Sequence, residues 1–353
     1  MHRTEQLKKL ISLQQGEAII IHKPSNMFYI SGFKGEGLLY ISNAKAAVVT
    51  DFRYVEQAEK ESPKWSVESI SAGVDHIKLA SMLESGIKKL YIEDDFVTLR
   101  QFKRLEASFK GAEFVSLNQA PEKMRAIKDE KEIAIIKKAC AISCEAFDYM
   151  LKFVAEGKTE REIALALDFK MYELGAEDVS FSTIAASGAN GSLPHAVPSD
   201  RVLGQGDFIT LDFGAKYAGY CSDMTRTLAV GEPSEKLREI YNIVLQAQEA
   251  CQKELRPGKS CKEVDGLARK IIGDAGYGEY FGHGLGHAVG IDIHEEPRLS
   301  QTSEATLQPG HVVTVEPGIY LPSIGGVRIE NTCLITEDGF ESLITSPKEL
   351  IIL

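Results

Sequence analysis

An α/β N-terminal domain followed by a larger α+β domain is the fold class this sequence predicts. Three observations carry the prediction. Short helical and strand patterns alternate through residues 1–120. A proline-bearing break then precedes a long helical pattern that opens at Lys128. Beyond it, helices and strands fall into separate blocks around a hairpin pattern from Gly206 to Gly231. A chain of 353 residues is long enough for both domains.

Residues 3–15 form an amphipathic helix whose apolar face is Leu7, Leu10, Ile11 and Leu13. Ala18 to His22 is a buried strand, Pro24-Ser25-Asn26 a turn, and Met27 to Ile30 another strand. Leu38 to Ile41 pairs with Ala46 to Thr50 around Ser42-Asn43, and Asp51 caps a helix from Phe52 to Lys60. Val74 to Leu83, Leu90 to Ile92 and Val97 to Phe109 continue as helix, strand, helix. Residues 121–128, with Pro121, read as a linker, and 129–353 as the second domain.

The helical pattern from Lys128 runs to Val154, and Lys158 to Leu174 is a second helix, with Thr159 capping it and Glu162 completing a capping box. Phe181 to Asp200 reads as a loop that carries His195. After the hairpin, Pro233 to Leu255 and Lys262 to Gly276 are helices. Phe281 to Pro297 sets His283, His287 and His294 among glycines; no Lys-Ser/Thr follows, which argues against a phosphate loop. Val312 to Tyr320 and Val327 to Thr336 are the last strands.

In the hairpin, a turn centred on Tyr217-Ala218 sets Asp212 opposite Asp223, on the face away from Ile209, Leu211 and Phe213. Like charges so placed destabilise a sheet, and a cation between them removes the penalty. In the final strands, Glu316 and Glu330 likewise sit opposite apolar rows. Each acid alone is an ordinary solvent-facing residue. Together with His287 they make an oxygen-dominated set that suits a pair of Mn, Co, Fe or Zn ions better than a structural zinc. Two divalent cations balance four carboxylates where one would not. Metal-assisted hydrolysis follows as the expected chemistry, with His195, His283, His294 and Arg328 supporting it.

The ordered set Asp212 (LDFG), Asp223 (SDMTRT), His287 (GHGLGH), Glu316 (EPGIY) and Glu330 (RIEN) resembles the pita-bread metallopeptidases, in their Xaa-Pro branch of prolidase and aminopeptidase P. SNMFYISGF and VVTDFRYVEQA resemble the creatinase-type N-terminal domain, so the likeness covers nearly the whole chain. The resemblance implies a creatinase-like N-terminal domain and a pita-bread catalytic domain. It implies two divalent metal ions per subunit, Mn or Co first, Zn or Fe as further candidates, held by Asp212, Asp223, His287, Glu316 and Glu330. By the same resemblance a metal-bridged hydroxide would attack the Xaa-Pro bond, with Glu316 as general base and His195 and His294 stabilising the oxyanion. The resemblance further implies that His283 would line the substrate pocket, that Arg328 would hold the acidic ligands, and that Arg298 would read the carboxylate of a dipeptide.

Xaa-Pro dipeptidase is the activity favoured here, and Xaa-Pro aminopeptidase acting on longer peptides is the alternative. Arg328 and the N-terminal domain argue against methionine aminopeptidase. The full ligand set argues against creatinase and against a non-catalytic peptide-binding module. A net charge of -11 disfavours nucleic acid and anionic membranes as partners. The six scattered cysteines, with neither a secretory leader nor a long apolar run, lead us to expect a cytoplasmic protein. Small proline-containing peptides are the expected partners, and the resemblance implies a homodimer.

Overall fold

A computed structural model describes residues 2–353. The chain divides into two compact units, Met1–Arg125 and Ala126–Leu353.

The first unit runs α1 (His2–Leu10), β1 (Glu17–Ile21), α2 (Pro24–Ser31), β2 (Leu38–Ser42), β3 (Ala46–Thr50), α3 (Val55–Glu61), β4 (Ser66–Ser69), α4 (His76–Met82), β5 (Lys89–Ile92), α5 (Leu99–Ser108) and β6 (Glu113–Ser116). Its six strands form one mixed sheet in the order β4-β3-β2-β1-β5-β6. Ala18 to Ile21 are all buried, as a strand covered on both faces requires. The edge strands β4 and β6 were not expected. They are short and polar, which protects an edge but leaves little pattern to read.

Met27 to Ile30 is not a strand but part of α2. Pro24 occupies the first turn, and Gly32 at φ 90° closes the helix by donating to the Phe28 carbonyl. The start is also fixed from a distance, because the Glu93 carboxylate accepts from the backbone N–H groups of His22 (2.6 Å) and Lys23 (2.8 Å). Asp51 caps a turn rather than a helix. Its carboxylate accepts from Arg53, and the helix begins later, at Val55. The stretch read as a linker is largely helical, as α6 (Ala120–Ala126).

Glu93 gives this unit a pH-dependent stability. Burial pushes its carboxyl from 4.5 up to about 7, against hydrogen bonds from Asn26, Lys23 and His22. A folded-state pKa above the unfolded one means that the contribution is present below about pH 4.5 and is lost as pH rises through 7. The stability of Glu93→Gln relative to the parent is therefore expected to rise by up to about 3 kcal/mol as pH goes from 5 to 8, on top of a pH-independent loss of the Asn26 hydrogen bond. Denaturant titrations followed by Trp65 fluorescence check this, since the single tryptophan lies in this unit. A difference that does not change with pH counts against it.

The second unit runs α7 (Glu130–Phe153), α8 (Glu160–Glu173), β7 (Asp178–Val179), β8 (Ile184–Ser187), β9 (Asp207–Phe213), β10 (Ala215–Tyr217), β11 (Tyr220–Cys221), β12 (Met224–Val230), α9 (Glu235–Lys253) and α10 (Cys261–Asp274). It continues through β13 (Gly286–Ala288), β14 (Glu295–Leu299), β15 (Val312–Val315), β16 (Gly318–Leu321), β17 (Gly325–Arg328), β18 (Asn331–Ile335) and β19 (Phe340–Ser342). The strands pair as β12-β9-β8, β14-β13-β15-β18-β19, β16-β17 and β11-β10-β7. All these pairs are antiparallel, and α9 and α10 pack on them through Leu237, Ile240, Val244, Val264 and Ala268. Asp129 and Thr159 cap α7 and α8, each with a complete capping box.

Three expectations are corrected here. The hairpin turn is Ala218-Gly219, one residue later than expected; both residues have positive φ, 48° and 87°, the conformation a tight hairpin favours. Asp212 therefore lies opposite Thr225, not Asp223. Second, the loop Phe181 to Asp200 contains the strand β8 and a turn of 3-10 helix, Gly188–Ser192. Third, each of the two final strands is broken in two. Glu316 and Pro317 separate β15 from β16, and Ile329 and Glu330 separate β17 from β18. Pro317 has no N–H to give a ladder, which accounts for the first break. Among the described residues no helix is long and apolar enough to cross a membrane.

Candidate active site

The acids converge because of where the strands run and where they break. Thr225 faces Asp212, and Asp223 precedes Thr225 by two positions, so both acids keep one face of the β9–β12 ladder. The breaks at Glu316 and Glu330 release these side chains from strict alternation and turn both toward that face. His287 arrives on β13, whose backbone N–H is held by the Thr314 hydroxyl at 3.0 Å. All ten residues singled out in the sequence line one cavity of about 760 Å³: His195, Asp212, Asp223, His283, His287, His294, Arg298, Glu316, Arg328 and Glu330.

The centre of the cavity is rich in acceptors. His287 Nε2 lies 3.3 Å from Glu316 Oε1 and 3.6 Å from Asp223 Oδ2. Burial lowers the His287 pKa to about 3, so the ring is neutral. Its Nδ1 faces the Ala288 carbonyl at 3.1 Å, which puts the ring proton there and leaves a lone pair on Nε2. Its Nε2 lone pair thus faces two carboxyl groups, with no positive charge between them. Burial pushes the Asp223 and Glu330 carboxyls well up, and the neighbouring acids push them further. Glu316 moves the same way, again chiefly through burial. Glu330 Oε2 accepts from the Thr225 hydroxyl at 2.7 Å, while buried Oε1 has no hydrogen-bond partner among the described residues. Ligand atoms of Asp223, His287 and Glu330 all lie within 4.8 Å of one another. Every strained feature here is one that a cation relieves, so the donor set fits divalent metal.

Around this centre the donors are ordered. Arg328 gives Nη2 to Asp212 at 2.5 Å, Nη1 to the Tyr320 hydroxyl at 2.8 Å and to the Pro194 carbonyl at 3.3 Å. Burial opposes its charge, but Tyr320, Asp212 and Glu316 hold the guanidinium protonated. His283 Nδ1 faces the Gly284 carbonyl, so Nε2 accepts from Tyr320 at 2.8 Å. Burial, first, keeps His283 neutral, its pKa lowered to about 4. His294 meets His287 edge to face at 4.4 Å and is, like His195, exposed to the cavity's solvent side. Its turn is tied down by Glu295, which accepts from Asp292 N and from the buried Lys128 ammonium, each at 3.1 Å. Arg298 sits directly opposite His287 across β13 and β14.

Sequence reasoning missed Thr225, Tyr320 and Lys128. Thr225 becomes visible once the hairpin register is right. Tyr320 would have followed from pairing β16 with β17, which makes it a diagonal neighbour of Arg328. Lys128 reaches Glu295 over a separation of 167 residues, and no local pattern signals that.

Comparison with known proteins agrees with this geometry. Residues 134–337 match Metallopeptidase family M24, and residues 3–127 match the Creatinase/Prolidase N-terminal domain. An Xaa-Pro dipeptidase of Pyrococcus horikoshii is 42% identical over 98% of this chain and 99% of its own. The structure of an Xaa-Pro dipeptidase from Bacillus anthracis superposes with a TM-score of 0.95 at 44% identity, covering 100% of this chain and 99% of that one. An X-Pro aminopeptidase from Thermotoga maritima gives 0.90 at 38% identity, over 99% and 100%. With both regions matched and the acidic centre in place, this chain belongs to metallopeptidase family M24, with a creatinase/prolidase N-terminal domain.

Proposed function

We propose that this enzyme is an Xaa-Pro dipeptidase that hydrolyses the peptide bond of small proline-containing dipeptides. The observation that carries the choice of a dipeptide is Arg298. It lies opposite His287 across β13 and β14 and lines the same cavity, which supports it as the cation that meets the carboxylate in which a dipeptide ends.

Two divalent cations, Mn or Co first and Zn or Fe as further candidates, would be held by Asp212, Asp223, His287, Glu316 and Glu330; bound there they acidify a water and polarise the substrate carbonyl. Glu316 takes the proton of the attacking water and returns it to the proline nitrogen as the C–N bond breaks. His294, whose pKa is lowered chiefly by partial burial of its ring, and His195 donate to the carbonyl oxygen as it gains charge. Arg328 and Tyr320 hold Asp212 and His283 in place through the hydrogen bonds given above. An Xaa-Pro bond has no N–H to offer a subsite. Recognition falls instead to the ring, and Phe181, Ile184, Val197 and Ile293 give the cavity an apolar wall for it. Cytoplasmic residence fits six buried free thiols, and a homodimer is the assembly expected of the family resemblance.

The test compares an Xaa-Pro dipeptide with the same sequence extended by one residue, after Mn and after Co loading. Arg298→Ala is expected to lower kcat/KM about 10–100-fold on the dipeptide, the loss of one charge-assisted contact. It should change the longer substrate by less than about threefold. Equal losses on both remove Arg298 as the carboxylate reader. Better cleavage of the longer peptide by the parent makes the enzyme an Xaa-Pro aminopeptidase, the activity of the Thermotoga relative.

A further inference from the structure

His195 stands on a loop with no regular strand partner of its own, yet its role requires a fixed position. What fixes the loop lies outside the cavity. Glu160 opens α8, where an acid ordinarily faces solvent beside the helix N-terminus. Here its residue is fully buried, and its carboxylate gathers donors from both ends of the His195 loop. Oε1 accepts from Ser187 N at 2.6 Å and Ser187 Oγ at 2.8 Å. Oε2 accepts from Asn190 Nδ2 at 2.8 Å, Ser199 N at 3.0 Å and Ser199 Oγ at 2.6 Å. One carboxylate thereby closes the loop on itself. The backbone repeats the closure, since Glu160 N and Arg161 N donate to the carbonyls of Arg201 and Ser199 at 3.1 Å each. Burial raises the Glu160 pKa, but the Ser199 and Ser187 hydrogen bonds outweigh it and hold the carboxyl below its ordinary value. A buried charge with every lone pair engaged rigidifies what it binds.

We propose that Glu160 is a positioning residue for His195: its carboxylate fastens both stems of the loop and so sets where the imidazole meets the substrate. The inference rests on the proposed reaction. A misplacement of about 1 Å can cost about 100-fold in rate, so a loosened loop acts on kcat before it acts on binding.

A double-mutant cycle on the Mn-loaded full chain tests it, using Glu160→Gln, His195→Ala and the pair. Gln turns an amide N–H₂ toward Ser187 or Ser199 donors and breaks the closure while keeping shape. The expected result is a kcat about tenfold lower in Glu160→Gln with KM changed less than about threefold, and no further loss when His195 is already alanine. Glu160→Asp, which keeps the charge, should recover part of the rate. Equal losses with and without His195 overturn the proposal. Amide hydrogen exchange on the same proteins reads the loop without turnover. Residues 188–198 should exchange about tenfold faster in Glu160→Gln, with α8 and β9 unchanged. Acceleration spread through 126–353 makes Glu160 a residue of the fold and overturns the proposal. A parent enzyme that cleaves no Xaa-Pro substrate sinks the proposed reaction alone, and the exchange data still decide whether Glu160 closes the loop.

Discussion

Glu316→Gln is expected to lower kcat on an Xaa-Pro dipeptide by about two to four orders of magnitude, the usual worth of a positioned general base. Three features support Glu316 as the proposed proton acceptor. Its Oε1 is 3.3 Å from His287 Nε2, so it lies at the acidic centre and not at its edge. Burial raises its pKa, which gives the carboxylate the basicity that a proton acceptor needs near neutral pH. The Thr314 hydroxyl donates to Oε1 at 3.2 Å and aims the group. Gln keeps the shape and an acceptor oxygen but takes no proton. Metal content by elemental analysis should stay near that of the parent, because Asp223, His287 and Glu330 remain. A rate within tenfold of the parent would move the base elsewhere, and Glu330 Oε1, buried and without a hydrogen-bond partner among the described residues, would be the next candidate. Loss of metal together with rate would trace the defect to its share in holding the cations and count against its role as base.

The acids were legible because alternation is robust to the error made. Placing the hairpin turn one residue early moves every pairing by an even number of positions, so Asp212 and Asp223 stay on one face even though they are not opposite each other. Glu316 and Glu330 were legible as lone acids among apolar strand residues. Their breaks were not, although Pro317 marks one of them. What the sequence hides is fixed at long range. Met27 to Ile30 carries a strand composition, and it is a helix partly because Glu93, on the far end of β5, accepts the N–H groups that open it. Glu160 has the local signature of a helix first turn, with Thr159 and Glu162 completing the box around it. Only the packed structure turns its side chain inward to Ser187 and Ser199. In the α/β unit the interior strands announced themselves by unbroken apolar runs, while β4 and β6 were lost because edge strands carry polar residues.

Asp223→Asn is expected to abolish turnover and metal-linked stabilisation and, at the same time, to make the metal-free protein more stable than the parent. Asp223 is buried beside Glu330, Asp212 and Glu316, and burial first, then those acids, drives its pKa well up. A folded-state pKa above the unfolded one means that ionising the carboxyl costs folding free energy at neutral pH. Asn escapes that cost, and its amide N–H₂ donates to a neighbouring acceptor without first having to take up a proton. With metal present the order reverses. A ligand at a hundred times its Kd adds about 2.7 kcal/mol to the native state, which for a unit of this size is about 5–11 °C in Tm. The parent should show that rise on Mn addition; Asp223→Asn should show less than half of it. Thermal unfolding with and without Mn gives both numbers from one pair of proteins. A metal-free variant less stable than the metal-free parent would mean that Asp223 is held by contacts worth more than the repulsion. An unchanged response to Mn would mean that the cations bind without Asp223. Either result would break the link drawn here between the buried acceptors, the strain they store in one another, and the charge that belongs among them.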